Sequence, residues 1–380
     1  MAPLISDCYR DCIIAIYFAT QISRIRKQEE ISSSWWEKKD REDLMKHRLF
    51  TAALICAMTA AAPSLAADFT MKIASPAPLN DKDALSAWFT AFEAGVETRS
   101  EGRIDVQLFP GGQLGPIPAT VEGVAMGTIE VTVPIIGFLS SLDPRFQVLD
   151  APGLFDDEHH AMATLSDPSV RAMLSGFGAR SHVEPLVVLT SGQSVVVSDA
   201  PIAGAADLAG VKLRTGGATP LLNEPMAAIG ASPVAMSLGE ALPGIQTGTI
   251  DAANINMPVA IGFKFADVAP NASYLPGSFT IVSAVVSKDF LGLIGPDLEA
   301  IVREEAERAK EAYAQKLDSG AAFFEGLWTQ HGGQLTVFTE AERASYLAVM
   351  NQTVQEIIAT DDQLQSDYGV LKTAADAARQ

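Results

Sequence analysis

Arg214 is the side chain in this sequence best placed to do chemistry. It stands in Leu208-Ala-Gly-Val-Lys-Leu-Arg-Thr-Gly-Gly217, at the end of a short apolar run and just before a glycine turn. Strand ends that face a crevice are where α/β proteins present ligand groups. An arginine there offers a planar fork of donors that matches a carboxylate, and in a dry cleft such a pair is worth a few kcal/mol. Spacing alone leaves a surface arginine in a solvated ion pair equally open. The other conspicuous cluster, Asp156-Asp-Glu-His-His160, has metal-ligating residue types. Adjacent histidines diverge on any regular element, however, and no further ligand stands at metal spacing, so it reads as a polar helix start after Phe155. His182 and His331 are isolated. No GxSxG elbow, HExxH pair or P-loop occurs, and Gly111-Gly-Gln-Leu-Gly115 reads as a turn into a helix. The many acidic residues are spread as solvated helix faces, with no acid/base couple among them. The residues give an enzyme no support, and no cofactor is expected.

Composition narrows the classes further. The chain has 380 residues and a net charge of −19. Such acidity argues against nucleic acid, which needs clustered Lys and Arg, and against an anionic membrane surface. The three cysteines, Cys8, Cys12 and Cys56, all lie near the start. From residue 57 onward there can be no disulfide, thiolate metal site or cysteine nucleophile. Residues 45–66 read as a signal peptide: Lys46, His47 and Arg48, an apolar run over 49–62, then Ser64-Leu-Ala66 for cleavage. The apolar run is short for a membrane span of ~20 residues. Residues 1–44 fit nothing downstream and read as a gene-model extension before a true start at Met45. The remaining chain, from residue 67, carries 18 Lys+Arg against 38 Asp+Glu and no cysteine. An exported, acidic, cysteine-free protein suits a bacterial periplasm, with no span left after cleavage.

The elements that must position Arg214 follow from periodicity. Strands are expected at 69–74, 104–109 and 129–134, with helices at 82–101 and 116–126 between them. A second series follows: strands at 186–189, 194–198, 211–214, 232–235 and 251–254, helices at 218–229 and 238–247, and a Val-rich strand at 279–287. One long helix is expected over 296–330. Another runs to about 359 behind a capping box of Thr339 and Glu342. The fold class is α/β, with two lobes and a cleft between them.

At this point the chain resembles the solute-binding subunits of tripartite ATP-independent periplasmic (TRAP) transporters, the DctP-type family, from about Phe69 to about residue 350. Gly102-Arg-Ile-Asp-Val-Gln-Leu-Phe-Pro110 with Gly112-Gln-Leu-Gly115, Gly127-Thr-Ile-Glu130, Phe146-Gln-Val-Leu-Asp-Ala-Pro152 with Leu154-Phe155, Asp207 to Arg214, and Gln246-Thr-Gly-Thr-Ile-Asp251 carry the likeness, in this order. It implies two lobes joined by crossing strands, with a long helix spanning both. Lobe I would comprise 67–191 and 281–320, lobe II 192–280 and 321–380. It implies a small organic acid bound between the lobes and delivered to membrane permease subunits driven by an ion gradient, without catalysis. Arg214 matches the arginine that pairs with the ligand carboxylate. The position of a second arginine in many members is Ser194 here, and a pocket aromatic falls at Leu238. The acid and tryptophan of another branch become Asn254 and Ile255, which weakens a metal-bridged ligand. Asn254 or Asn256 could hydrogen-bond a ligand. Phe138, beside Gly137, is placed on the opposite lobe by its position after the third strand. The pocket is thus expected to be less charged and more apolar than that of a dicarboxylate or sialic-acid binder, and to take a monocarboxylate or another modestly polar organic acid. An exported α/β hydrolytic enzyme and the binding protein of an ATP-driven (ABC) transporter are the alternatives.

Overall fold

The computed structural model describes residues 67–379; the leader at 45–66 and the stretch before it lie outside them. In chain order the main elements are β1 (Phe69–Ala74), α1 (Ala84–Arg99), β2 (Ile104–Phe109), α2 (Ile117–Ala125), β3 (Val131–Thr132), α3 (Glu158–Leu165), α4 (Pro168–Leu174) and β4 (Val183–Ser198). Then come β5 (Lys212–Thr215), α5 (Pro220–Ala228), β6 (Ser232–Ala235), α6 (Leu238–Gln246), β7 (Ala252–Asn256), α7 (Met257–Gly262) and β8 (Asn271–Ser287). The chain ends with α8 (Lys288–Ile294), α9 (Pro296–Arg308), α10 (Lys310–Gln330), β9 (Gln334–Thr336), α11 (Glu340–Ile358) and α12 (Asp362–Ala378).

The strands form one sheet in the order β2-β1-β3-β8-β4-β7-β5-β6, with β9 against β8. The two outer wings are parallel, as expected of βα units. The centre is antiparallel: β4 and β8 run alongside each other from Val183↔Ser287 to Ser198↔Asn271. These two long strands carry the chain from one lobe to the other. One lobe packs Met71, Trp88, Phe92, Val131, Val187 and Val302. The other packs Val196, Leu208, Leu213, Leu275, Tyr346 and Met350.

Several elements differ from expectation for physical reasons. The strands expected at 186–189 and 194–198 are one strand, because β8 lies beside both and pairs across the gap. The gap itself is a bulge: register shifts between Thr190 and Val195, and Gly192 takes a φ of +103°. Opposite it, Pro276 and Gly277 sit inside β8, where a breaker pair would ordinarily end a strand. The Gly277 carbonyl is satisfied instead by Gly153 N–H at 2.8 Å. β3 is only two residues long, since the Glu130 carboxylate, not its backbone, accepts from Lys72 N at 2.8 Å.

The single helix expected over 296–330 is two helices meeting at Ala309. There the Trp88 indole donates to the Ala306 carbonyl at 3.0 Å, and such an insertion at the helix ladder favours a break. Only half of the Thr339 capping box forms: Thr339 Oγ1 accepts from Glu342 N at 3.3 Å. The last helix, α12, packs on α3, α4 and the turn Pro144–Asp150. Arg145 grips Asp367 through two bonds of 2.7 and 2.9 Å, and His160 Nε2 meets the Ala375 carbonyl at 2.8 Å. By these contacts α12 is tied to chain segments between residues 144 and 174. Among the described residues no helix is long and apolar enough to cross a membrane.

Candidate functional site

Arg214 lies near the end of β5, between Val234 of β6 and Ala253 of β7. Its side chain does not reach solvent; the residue is 2% exposed. Nε donates to Met236 O at 3.0 Å and Nη1 to Asn254 O at 2.9 Å, while Nη2 has no partner. Both partners are neutral carbonyls, so they aim the guanidinium without neutralising it. Burial alone lowers its pKa to about 10, with no carboxylate acting on it. It therefore stays charged at neutral pH. A buried, uncompensated charge costs several kcal/mol, which an arriving anion would offset.

The cavity at Arg214 has a volume of about 80 Å³ and is lined by segments of both lobes. At roughly 10–15 Å³ per water position it offers room for about five to eight waters, the space of a small molecule. Its walls are largely apolar, with Ile117, Val133, Ile135, Leu222, Leu238 and Ile281 prominent. Ser194, Asn254 and Asn256 also line it. Their places follow from register: Ser194 pairs with Asn256, and Val196 with Asn254, so the two asparagines share one face of β7. Ser194 Oγ lies 3.3 Å from Thr280 Oγ1. The Asn256 amide is fully engaged in the scaffold. Its Nδ2 donates to Ser191 O at 2.7 Å and Oγ at 2.9 Å, and its Oδ1 accepts from Val259 N, capping α7.

Gly137 and Phe138 do not line this cavity. They lie on an outer groove with Ala218, Met236 and Glu240. Gly137 instead marks where the lobes touch: a Cβ on it would come within 2.7 Å of Gly216 O. A Cβ on Gly216 would strike the Ile135 side chain, so the glycine turn after Arg214 lets backbone meet backbone across the cleft.

Asp150 completes the site and was not among the expected residues. It lines the cavity from the end of the turn Pro144–Asp150, with Thr219 Oγ1 as its hydrogen-bond donor at 3.3 Å. Burial pushes its pKa up to about 7. A signal was present in the sequence: Asp150 is the lone charge in the apolar stretch Phe146-Gln-Val-Leu-Asp-Ala-Pro152. The histidines are elsewhere. His160 Nδ1 accepts from Asp156 N at 3.0 Å, and His159 meets Asp318 at 2.8 Å on the surface. No His, Cys, Asp or Glu group among the described residues gathers as a metal site.

The comparisons with known proteins bear on the family and the fold. The family described as bacterial extracellular solute-binding protein, family 7, the DctP family, matches residues 79–361. The chain belongs to this family. The 2,3-diketo-L-gulonate-binding periplasmic protein of Escherichia coli is 28% identical over 325 residues, covering 83% of this chain and 95% of that protein. The ectoine-binding periplasmic protein of Halomonas elongata is 27% identical over 229 residues, 60% of this chain and 66% of that one. Among solved structures, the TRAP solute-binding protein of Desulfovibrio salexigens with orotic acid superposes with a TM-score of 0.75 at 21% identity, covering 81% and 99% of the two chains. The galactonate-bound sugar-acid-binding protein of Advenella mimigardefordensis gives 0.74 at 20% identity, covering 81% and 98%. The fold is thus the two-lobed one of TRAP solute receptors.

Proposed function

We propose that this protein is the periplasmic receptor of a TRAP transporter, binding a small monocarboxylate in the Arg214 cavity and handing it to membrane permease subunits. The observation that carries the reading is the buried Arg214 guanidinium with an unpaired Nη2 and no internal counter-ion. With Nε and Nη1 held by carbonyls, Nη2 keeps its N–H groups for a carboxylate. Among the described residues Arg214 is the sole cation lining the cavity, which fits one carboxylate better than two. Relatives support an acid: the named ligands include 2,3-diketo-L-gulonate, galactonate and succinate. Among the described residues no histidine lines the cavity to activate Ser191 or Ser194, so a hydrolytic reading gains nothing from the geometry. Export rests on the 45–66 leader; N-terminal sequencing of the periplasmic protein should start near Ala67.

Calorimetry against a library of small organic acids tests the ligand class. Monocarboxylates should bind, with a rise in Tm because the ligand binds only the folded state. An Arg214→Ala protein that binds them as tightly as wild type would sink the proposal.

A further inference from the structure

Among the described residues, the charged side chains lining the Arg214 cavity are Arg214 itself and Asp150. Asp150 has the one long hydrogen bond from Thr219 Oγ1 at 3.3 Å, and no cation acts on it. It also lines an adjoining chamber of about 30 Å³ with Ser194 and Ser278, where again no described Lys, Arg or His stands. The elements packed against the turn Pro144–Asp150 bring nothing that would hold its charge. The turn Ile136–Ser141 has no titratable group. On α5 there is only Glu224, which is exposed, and on β8 only Tyr274, whose hydroxyl donates to Glu325. On α12, Asp367 is taken by Arg145 of the turn itself and Lys372 by Asp376. Asp362 there is exposed, and burial raises the pKa of Tyr368.

We propose that Asp150 is a proton-binding site linked to the ligand: when a carboxylate enters the Arg214 cavity Asp150 takes up a proton, and the receptor then holds the anion and the proton together. This rests on the Arg214 reading and adds a second, smaller ligand to it. Three effects of binding act on Asp150 in the same direction. The acid displaces water from a carboxyl that is already buried, cancels the one cation in the cavity, and adds a second negative charge to a space of about 80 Å³. Two carboxylates in one dry site do not both stay ionised, and Arg214 keeps the ligand's charged. Burial has already brought Asp150 up to about 7 before any ligand arrives, so the proton is taken at little cost. It comes from the solvent, and no bond of the ligand changes. Linkage fixes the sign. Below about pH 6 Asp150 holds its proton beforehand and binding takes up none. Above about pH 7 each bound acid brings nearly one proton with it, and affinity falls by about tenfold per pH unit. The receptor thus loads best on the acidic side of neutrality and releases as pH rises.

The test is calorimetry with lactate, pyruvate, propionate and butyrate at pH 5.5 and pH 8, in phosphate, Hepes and Tris buffers whose ionisation heats differ. The dependence of the observed heat on the buffer counts the protons taken up. Wild type should take up about one per acid at pH 8 and almost none at pH 5.5, with affinity about tenfold weaker at pH 8. Asp150→Asn should take up none and bind equally well at both. Glu158 and Asp83, also raised by burial, line the neighbouring groove and not this cavity, so Glu158→Gln and Asp83→Asn should keep the wild-type count. Should Asp150→Asn fail to fold, the infrared difference spectrum of binding reads the same step in wild type, as a gain of protonated carboxyl at pH 8 that both groove variants keep. Binding at pH 8 without proton uptake overturns the proposal and leaves the Arg214 reading intact. So does an uptake that Asp150→Asn retains or that either groove variant removes. If none of these acids binds at either pH, the Arg214 reading falls and the proton site with it.

Discussion

Two cavities flank the bulge at Ser191–Gln193, and they could hardly differ more. The Arg214 cavity is about 80 Å³; the groove on the other side, against α10, is about 620 Å³. Ser191 lines both. The groove is rich in polar groups, among them Asp83, Glu158, Tyr274, Glu325 and Arg343. Apart from Arg343, these satisfy one another or the backbone. Tyr274 donates to Glu325 at 2.6 Å, Glu158 accepts from Gln193 N at 3.1 Å, Tyr313 donates to Thr190 O at 2.8 Å, and Asp83 caps α1 through Ser86. The small cavity holds the unpaired guanidinium. A ligand site is marked by hydrogen-bonding capacity left open at a cost in folding free energy, not by volume.

The largest effect that comparison predicts is at Arg214. Arg214→Ala should lower affinity for the cognate acid by about 2–5 kcal/mol, at least about thirtyfold by calorimetry. Arg214→Lys should recover only part of it, because an ammonium lacks the fork. Next is Gly216→Ala. Its Cβ would fall 1.9 Å from Ile135 Cδ1, so the Ile135 side chain would have to move for the glycine turn to keep its close approach. Affinity should fall by roughly tenfold, about 1.4 kcal/mol, while the thermal stability of the unliganded protein changes little. A Gly216→Ala protein with full affinity would show that ligand binding does not need this contact.

Asp150 predicts a pH effect with a definite sign. Its carboxyl titrates near pH 7 in the folded protein against an ordinary value of 3.8. The folded state thus holds a proton that the unfolded chain has lost between those values. The stability this group contributes is full below about pH 4 and is lost as pH rises through 7, by at most about 4 kcal/mol. The Tm of unliganded wild type should fall between pH 5 and pH 8 more steeply than that of Asp150→Asn. Glu158 and Asp83 are raised by burial too and titrate in the same sense, so the difference between the two proteins is the quantity to read. Parallel curves would show that Asp150 is already ionised across this range.

The small cavity was half legible in the sequence, and the groove not at all. Arg214 could be read because a local pattern, strand then glycine turn, fixes where its side chain goes. Ser194, Leu238 and Asn254 followed from alignment to a familiar pattern and do line the cavity. Asn256 lines it as well, but its amide is spent on Ser191 and α7, a fact of tertiary approach that no local spacing encodes. Phe138 was misplaced for a similar reason: the 3-10 turn Ile136–Ser141 rotates it onto the outer groove. Asp150, Thr219 and Ser278 come together from positions far apart in the chain, and only packing unites them. At the level of elements, the α/β alternation and most boundaries could be read. The crossing strands could not be read whole, because Gly192 and Pro276-Gly277 punctuate them like turns while the partner strand keeps each one paired.

The smallest expected effect is on the groove, and it bears hardest on the comparison. Tyr274→Phe removes the hydroxyl that donates to Glu325, and Glu325→Gln removes the charge on the same pair. Tyr274 and Glu325 do not line the Arg214 cavity. Each change should cost about 1 kcal/mol of stability or less, the net worth of one hydrogen bond, visible as a small fall in Tm. Affinity for the acid should stay within about threefold of wild type, since less than 0.7 kcal/mol of binding free energy is then at stake. A large loss of affinity in Tyr274→Phe would mean that the groove side of the bulge helps to set the position of β4 and β8 in the bound state. The two cavities would then be coupled through Ser191 and Gln193, and their contrast would be one of role within a single device, not of site against scaffold.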